Sequence, residues 1–350
     1  YDELVLLEKE TGTILSSSPT QNVGYEVITN LKKVRHEKRM LSLDKTKDVE
    51  KLKSFIGSKE GVLSWKLDGL TIVLRYNGGE LVQAVTRGNG DVGEDITHNA
   101  RVFKNLPLKI PFEDELVLRG EGVISYSEFE RINESLDDEE KYKNPRNLCS
   151  GTVRQLNSKV ASDRKVMFYA FSLVSAKNRP QDALRTEEFD WLDSLGFDVV
   201  EHVIVTADTL EKTVREFESR IEQNDFASDG LVLSFNDIAY GKSLGETAKF
   251  PKDSIAFKWM DETAETTLRQ IEWSTSRTGL INPVAVFDTV ELEGTSVNRA
   301  SVHNVSILED LQLGIGDRIK VFKANMIIPQ IAENLTKSGN VEIPKYCPVC

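Results

Sequence analysis

The sequence predicts an α+β domain followed by a small β-barrel, and three patterns in its 350 residues support this. Between about 57 and 262, strands rich in β-branched and apolar residues are mixed with dispersed helices, rather than each strand being followed by one helix. Asn77-Gly78 between two such strands is a strong hairpin signal, which favours antiparallel pairing. After about Glu265, helical periodicity disappears and turn residues separate short strands, as is typical of a barrel.

The individual elements follow from periodicity and from turn and cap residues. Helices are predicted over 48–56, 127–135, 186–195 and 208–222, and Asp208 and Glu211 have capping-box spacing in the last of these. Strands are predicted over 70–76, 81–86, 116–124, 229–235 and 255–259. In the barrel region, turns are predicted at 278–279, 293–294 and 314–317.

Composition and charge restrict the class of protein. No apolar run approaches the ~20 residues of a membrane helix and no secretion signal is visible, so we expect a cytoplasmic protein without membrane contact. The net charge of −12 argues against a polyanionic partner, although a local basic track is compatible with an acidic total. Cys149 stands alone and Cys347 and Cys350 form a terminal Cys-x-x-Cys pair, so a disulfide framework is not expected.

One lysine has the sequence context of a nucleophile. Lys66-Leu67-Asp68-Gly69 follows an apolar approach and precedes a predicted strand. A protonated amine is a poor nucleophile, so an attacking lysine needs a site that favours its neutral form. Asp68 is suited to orient the amine or hold a metal, and Gly69 to let backbone approach a nucleotide. In isolation, such a short pattern is more often an exposed lysine before a turn.

Many further segments resemble NAD-dependent DNA ligases in order and spacing, from Tyr1 almost to Cys350. Beside the lysine motif, the matching segments are Val34-Arg35-His36-Glu37, Met40-Leu41-Ser42-Leu43, Thr86-Arg87-Gly88-Asn89-Gly90, Gly93-Glu94-Asp95, Arg119-Gly120-Glu121, Asn144-Pro145-Arg146-Asn147, Gly151, Arg154-Gln155-Leu156, Asp229-Gly230, Ala256-Phe257-Lys258, Arg277-Thr278-Gly279, Pro283-Val284, His303-Asn304, Gly316-Asp317 and Ile328-Pro329. Chance does not produce so many matches in one order.

The resemblance implies a domain order and a reaction. Residues 1–20 would be the remnant of a helical NAD-recognition domain, 21–262 a nucleotidyltransferase (adenylation) domain, 263–345 an OB-fold, and 346–350 the start of a zinc finger. In that family a lysine displaces nicotinamide mononucleotide from NAD and becomes a lysine–AMP phosphoramide. AMP then moves to the 5′-phosphate of a nick, and the 3′-hydroxyl expels it. We therefore expect a monomeric ligase that uses NAD and Mg²⁺ and binds nicked double-stranded DNA.

The resemblance also assigns roles by motif position. Lys66 would be the nucleophile, assisted by Asp68, and Lys258 the principal cation at the α-phosphate. The expected nucleotide-binding residues are Tyr1, Asp2, Ser42, Leu43, Lys66, Arg87, Glu121 and Lys258. Asp68 and Glu121 would hold Mg²⁺ through oxygen ligands. Arg146 and Arg154 would contact phosphates of AMP or DNA, although each could instead form a surface ion pair. In the barrel, the residues expected to contact the DNA backbone are Arg277, Arg299, Lys320 and Lys323, which are equally ordinary as solvated surface charges.

Two departures fall in the expected active site. Ser64 stands where the family commonly has a glutamate near the adenine, two residues before the nucleophile. Ser234 ends a segment, Asp229 to Ser234, that in the family reads Asp-Gly-Val-Val-x-Lys. We therefore expect a phosphate-facing cation to be missing at 234, which would cost on the order of 3 kcal/mol, or roughly a hundredfold in rate.

Further departures lie in the barrel and at the chain ends. Lys323-Ala324-Asn325-Met326 replaces Arg-Ala-Gly-Asp, and Ile221, beside Arg220, stands where an arginine is expected. If nothing precedes Tyr1, the NAD-recognition residues are missing and NAD should be used poorly. Cys347 and Cys350 resemble half of a four-cysteine zinc site, so we expect zinc only in a longer chain.

Two alternatives from other classes remain. A paralogue that binds nicked DNA or nucleotide without efficient ligation is suggested by Ser64 and Ser234. An ATP-dependent ligase or capping-type enzyme shares the lysine motif, but the Thr-Arg-Gly-x-Gly, Asn-Pro-Arg-Asn and Cys-x-x-Cys segments argue against it.

Overall fold

The computed structural model describes residues 30–137, 140–259, 263–275, 279–292, 295–324, 328–344 and 346. The chain divides into two compact units, Tyr1–Trp259 and Met260–Cys350. The first contains mixed helices and strands and the second a closed five-stranded barrel, which confirms the predicted α+β domain followed by a barrel. Within the described residues, no helix is long and apolar enough to cross a membrane.

The first unit contains two main sheets with helices around them. Its strands are β1 (Lys33–Arg35), β2 (Asp44–Thr46), β3 (Gly61–Leu67), β4 (Leu70–Asn77), β5 (Glu80–Thr86), β6 (Val92–Glu94), β7 (Leu116–Val123), β8 (Met167–Ala176), β9 (His202–Val205), β10 (Ser228–Phe235) and β11 (Ser254–Lys258). Its helices are α1 (Val49–Ile56), α2 (Thr97–Ala100), α3 (Tyr126–Glu134), α4 (Pro145–Val153), α5 (Ser158–Asp163), α6 (Arg185–Ser194), α7 (Ala207–Glu218) and α8 (Ile238–Ser243), with a 3₁₀ turn at Ile221–Gln223.

The five-stranded sheet has the order β2-β11-β10-β3-β9 and is antiparallel except for the β2–β11 pair. One face packs against an apolar core that includes Leu63, Trp65, Leu231, Leu233 and Phe257. Because side chains alternate along a strand, the residues between these point to the opposite face. That opposite face carries the site described below.

The four-stranded sheet, β5-β4-β7-β8, is antiparallel throughout. Its β4–β5 hairpin confirms the predicted pairing, although the central turn residues are Gly78 and Gly79 rather than Asn77 and Gly78. Both glycines have positive φ, 60° and 73°, which gives the hairpin turn the twist of its strands. Buried residues of β4 and β7 form the second core with α4, and this core holds the sheet rigid beside the first.

The second unit is a closed barrel with one short helix. Its elements are β12 (Thr263–Thr275), β13 (Ile281–Leu292), β14 (Thr295–Ser301), α9 (Val305–Asp310), β15 (Arg318–Ala324) and β16 (Ile328–Asn334). The strand order is β12-β13-β14-β16-β15, with β15 returning to pair with β12. Its core is separate from those of the first unit and includes Leu268, Ala285, Phe287, Ile319 and Val321.

Two local predictions differ from the structure. The N-terminal cap of α7 is Thr206, whose N–H donates to the Thr209 hydroxyl over 2.9 Å, so Asp208 and Glu211 lie inside the helix. Gly69 is required by packing: a Cβ there would lie 2.0 Å from the carbonyl oxygen of Gly122. The close approach seen at Gly69 is therefore that of β7.

Candidate active site

Three neighbouring strands form the floor of a pocket of about 500 Å³ between the two sheets of the first unit. The register places Lys66, Gly230 and Lys258 side by side across β3, β10 and β11. The next row lies two residues farther along the strands and consists of Ser64, Val232 and Ala256. The row two residues beyond that one consists of Val62, Ser234 and Ser254. Since two residues span about 7 Å of strand, the floor runs from a lysine row, through a row of one serine and two apolar residues, to a hydroxyl row.

The lysine row is held together by one carboxylate. Asp229 accepts from the Lys66 ammonium over 2.7 Å through Oδ1, and its Oδ2 lies 3.0 Å from Lys258 Nζ. Burial acts to raise the pKa of Asp229, but the two lysines outweigh it and the pKa is lowered. Asp229 is therefore an anion that fixes two cations at one end of the pocket.

Gly230 allows this close arrangement. Its φ of 153° is rarely adopted by residues with side chains, and a Cβ would lie 1.9 Å from the carbonyl oxygen of Phe257. The strand therefore passes closely beside β11 directly after Asp229, which brings the Asp229 carboxylate within reach of both lysines.

Ser234 lies at the other end of the floor from the two lysines, and the expectation of a missing phosphate-facing cation at this position stays a prediction. The register pairs Ser234 with Val62 and Ser254, whereas Lys66 and Lys258 pair with Gly230. Four residues of strand, about 13 Å, separate the two levels. A side chain at 234 therefore faces whatever part of a ligand lies far from the lysines.

The rim contains the other nucleotide-binding residues that the sequence predicted. Ser42 and Leu43 line the pocket on one side, and Arg87 donates from Nη2 to Ser42 Oγ over 2.9 Å. Glu121 of β7 lines it from the four-stranded sheet and accepts from Thr71 Oγ1 over 2.8 Å. The structure thus brings Ser42, Leu43, Arg87 and Glu121 to one pocket with Lys66 and Lys258.

Glu121 is the most perturbed acid of this pocket. Burial raises its pKa to about 7, against the opposing effects of the Thr71 hydroxyl, the charges of Lys66 and Arg146, and the Gly69 N–H. The Gly69 N–H donates to Glu121 Oε1 over 3.2 Å. Glu121 is therefore partly protonated near neutral pH, and a protonated carboxyl can donate as well as accept.

The two acids predicted to hold Mg²⁺ do not form a metal site by themselves. Asp68 is buried and paired with the Arg146 guanidinium, whereas Glu121 is hydrogen-bonded to Thr71 and Gly69. Among the residues that the structure describes, no cluster of three or more acidic, histidine or cysteine side chains could hold a metal. Mg²⁺ commonly takes only one or two carboxylates together with substrate phosphates and water, so these residues suit a metal that arrives with a nucleotide.

The predicted DNA-contacting residues are found in different settings. Arg146 lines the pocket and its charge is matched by Asp68. Arg154 donates to Glu94 over 2.7 Å, and Arg299 is paired with Glu272 on the barrel. All three keep partly exposed guanidinium groups, so they are available to phosphates only in competition with a carboxylate. Lys320 lies 3.7 Å from Glu333.

Lys323 is held inside the barrel. Its side chain is buried, and its ammonium donates to the Leu292 carbonyl over 2.8 Å and to the Thr295 hydroxyl. Its hydrogen bonds thus join β15 to the end of β13 and the start of β14. The DNA contact expected of Lys323 stays a prediction.

Several predicted site residues fall outside the described part of the chain. These are Tyr1, Asp2, Arg277, Cys347 and Cys350. The NAD-recognition, zinc and one of the DNA-contact assignments therefore stay predictions.

Two residues of the site were not predicted. Asp229 begins a strand in the sequence, and only strand register reveals that it reaches Lys66. Arg119 lines the pocket beside Arg87, and its pKa is lowered by burial and by the Arg87 charge. Within the described residues, the buried Arg119 Nε has no hydrogen-bond partner. Arg119 could have been predicted from the sequence, because side chains alternate along a strand and Arg119, two residues from Glu121, lies on the same face of β7.

Comparisons with known proteins agree with the geometry. Residues 28–262 match the family model described as the NAD-dependent DNA ligase adenylation domain, and residues 265–342 match the NAD-dependent DNA ligase OB-fold domain. A protein named DNA ligase from Lachnoclostridium phytofermentans is 63% identical over all of this chain and 54% of its own length. DNA ligases from Ruminiclostridium cellulolyticum and Thermosipho africanus are 64% and 37% identical, and the chain spans about half of each, 53% and 55%.

Proposed function

Because the chain belongs to the NAD-dependent DNA ligase family, we propose that it takes up AMP from NAD on Lys66 and passes it to the 5′-phosphate of a nick. The observation that carries the proposal is the lysine row: Lys66 and Lys258 meet one carboxylate at the end of a pocket of nucleotide size. A nucleotide bound with its phosphate on this row places phosphorus beside the Lys66 amine.

The first step exchanges one bond for another at the α-phosphorus. The Lys66 Nζ–P bond forms as the P–O bond to nicotinamide mononucleotide breaks. Lys66 must first lose a proton, because an ammonium has no lone pair. Asp229 Oδ1, at 2.7 Å, is the carboxylate oxygen in contact with that amine, and it can accept the proton or pass it to water.

Lys258 neutralises charge on the phosphate during this exchange. Phosphoryl-type transfer depends mainly on positioning and on cations around the equatorial oxygens. Lys258 shares Asp229 with Lys66, so it stands at the same level of the floor. Mg²⁺ bound with the nucleotide would add further positive charge, and Asp68 and Glu121 are the candidate oxygen ligands for it.

The later steps rest on family membership. AMP moves from Lys66 to the 5′-phosphate, and the adjacent 3′-hydroxyl then displaces AMP as the phosphodiester bond forms. Arg154 and Arg299 offer partly exposed guanidinium groups to the DNA backbone. The chain spans about half the length of the curated relatives that it matches, so the sealing of a nick is a part of this proposal.

Intact mass after incubation with NAD and Mg²⁺ tests the proposal. We expect a gain of one AMP that is lost in Lys66→Ala and kept in Lys212→Ala, a matched variant of an exposed lysine on α7. A gain with ATP but not NAD would favour the ATP-dependent alternative. An adduct that persists in Lys66→Ala would contradict the assignment of the nucleophile. No adduct from either donor with the full gene product would favour a binding protein.

A further inference from the structure

The hydroxyl row at the far end of the floor carries an inference about ligand recognition. Ser234 and Ser254 are buried, with Oγ atoms 2.8 Å apart, and both line the pocket. In the proposed function the phosphate occupies the lysine row. The part of the nucleotide farthest from its phosphate is the base, so this row faces the edge of the base.

The direction of each hydrogen bond in this row is determined. Ser254 Oγ donates to Asp253 Oδ1 over 3.0 Å, and the other Asp253 oxygen lies 3.1 Å from the Arg185 guanidinium. An ionised carboxylate only accepts, and a hydroxyl has one proton. Ser254 therefore donates its proton to Asp253, and its contact with Ser234 requires that Ser234 donate.

Because the Ser234 hydroxyl donates its proton to Ser254, it can only accept a hydrogen bond from a ligand. We infer that Ser234, oriented by Ser254 and Asp253, is a specificity-determining hydrogen-bond acceptor that selects a base with an exocyclic amino group, as in adenine. A base with a carbonyl at that position, such as hypoxanthine, would place one acceptor against another. This inference rests on the proposed function for the orientation of the nucleotide.

Ser64 provides an internal comparison. It lies diagonally from Ser234 across β3 and β10, is also buried, and lines the same pocket. Among the described residues its hydroxyl has no hydrogen-bond partner that would fix its proton. It can therefore donate to the ring nitrogen of adenine or accept from the N–H of hypoxanthine, so it contributes to affinity without selecting between them.

Binding of AMP and of inosine monophosphate to the full chain, measured by calorimetry, tests the inference. We expect the unmodified chain to prefer AMP by about tenfold, since a site built for a hydrogen bond rejects a ligand that leaves it unmade. Ser234→Ala should reduce the preference to less than about threefold. Ser254→Ala, a change in a positioning residue, should reduce it partly, because Ser234 is then free to rotate and donate.

Two variants serve as controls. Ser64→Ala should weaken both nucleotides to a similar degree and leave their ratio unchanged, and Ser194→Ala, an exposed serine of α6, should change neither. Ser234→Thr keeps the hydroxyl and should keep the preference, which separates the role of the oxygen from any loss of folding. Thermal unfolding checks that each variant is folded.

The results that would overturn the inference are distinct from those that would overturn the reaction. Equal binding of the two nucleotides, a preference for inosine monophosphate, binding of neither, or a preference that survives in Ser234→Ala would each reject it. If Lys66 forms no AMP adduct while the AMP preference depends on Ser234, the reaction is wrong and the recognition stands. If the adduct forms without the preference, the recognition is wrong and the reaction stands.

Discussion

Asp229 determines the resting state of the lysine that we propose as the nucleophile. Its two oxygens reach Lys66 and Lys258, which would otherwise be adjacent cations repelling each other. The Asp229 bridge orients the Lys66 amine. When a nucleotide binds, its phosphate can replace the Asp229 carboxylate as the partner of Lys258. The sequence motif identified both lysines but not the bridge, because Asp229 is 163 residues from Lys66 and only the pairing of β3 with β10 joins them.

At the same scale, Glu121 should make stability depend on pH. Its pKa is raised from an ordinary 4.5 to about 7, so the folded state holds a proton that the unfolded state releases. The contribution is therefore fully present below about pH 4.5 and is lost as pH rises to about 7, with an upper limit of ~3 kcal/mol. The free energy of unfolding in urea at pH 5, 6, 7 and 8 measures this loss.

Glu121→Gln is the matched variant, since it keeps the shape but not the ionisation. Relative to Glu121→Gln, the unmodified chain should lose stability between pH 5 and 8. If the two stability profiles run parallel across this range, the pKa of Glu121 is ordinary in the folded state.

At the scale of the elements, alternation along β3, β10 and β11 separates the core from the site. Leu63, Trp65 and Leu231 face one side, whereas Ser64, Lys66 and Val232 face the other. The same register makes the two departures from the family pattern diagonal neighbours, at 64 and 234. A glutamate at one and a lysine at the other would be within reach of pairing. Their joint replacement by serines leaves no unpaired charge.

This diagonal arrangement predicts that a charged residue is tolerated at 64 or 234 only when the other position carries the opposite charge. Ser64→Glu and Ser234→Lys should each destabilise the protein by a few kcal/mol, since each buries a charge without a partner. The double variant should cost less than the sum of the two by at least ~1 kcal/mol. Chemical denaturation of the four proteins in the cycle measures the coupling, and additive losses would mean that the two positions do not meet.

Six of the described strands of the first unit were not predicted, namely β1, β2, β3, β6, β8 and β9, and for β3 and β8 the reason is physical. β3 is buried over Gly61 to Trp65 because it is flanked by β10 and β9, so the alternation that marks a strand is masked. β8, Met167–Ala176, pairs with β7 and was recognisable only by its aromatic and apolar content. Local cap, turn and period signals predicted α1, α3, α6, α7 and the β4–β5 hairpin to within a few residues, whereas α2, α4, α5, α8 and α9 were not predicted.

At the scale of the molecule, the pocket belongs to one unit of the chain. Its lining residues all lie between Arg39 and Lys258, and the first unit has its own cores. A chain that ends at residue 259 should therefore bind AMP within about threefold of the full chain, while its affinity for nicked DNA falls. Calorimetry with AMP and a shift assay with a nicked duplex measure the two quantities.

Loss of AMP binding on removal of the barrel would show that the second unit completes the pocket. Unchanged DNA binding would show instead that the barrel does not contact DNA. The net charge of −12 does not predict whether the chain binds DNA. Arg154 and Arg299 are each paired with a carboxylate, so the fold decides which of the two a phosphate can reach.

The central claim is that a covalent bond joins AMP to one lysine. Fragmentation mass spectrometry of peptides, kept at neutral to mildly alkaline pH after reaction with NAD and Mg²⁺, locates the added group. We expect the adenylate on the peptide that contains Lys66 and, by fragment masses, on Lys66 itself. An adenylate on Lys258 or any other residue, or none when the full gene product is used, would contradict the account.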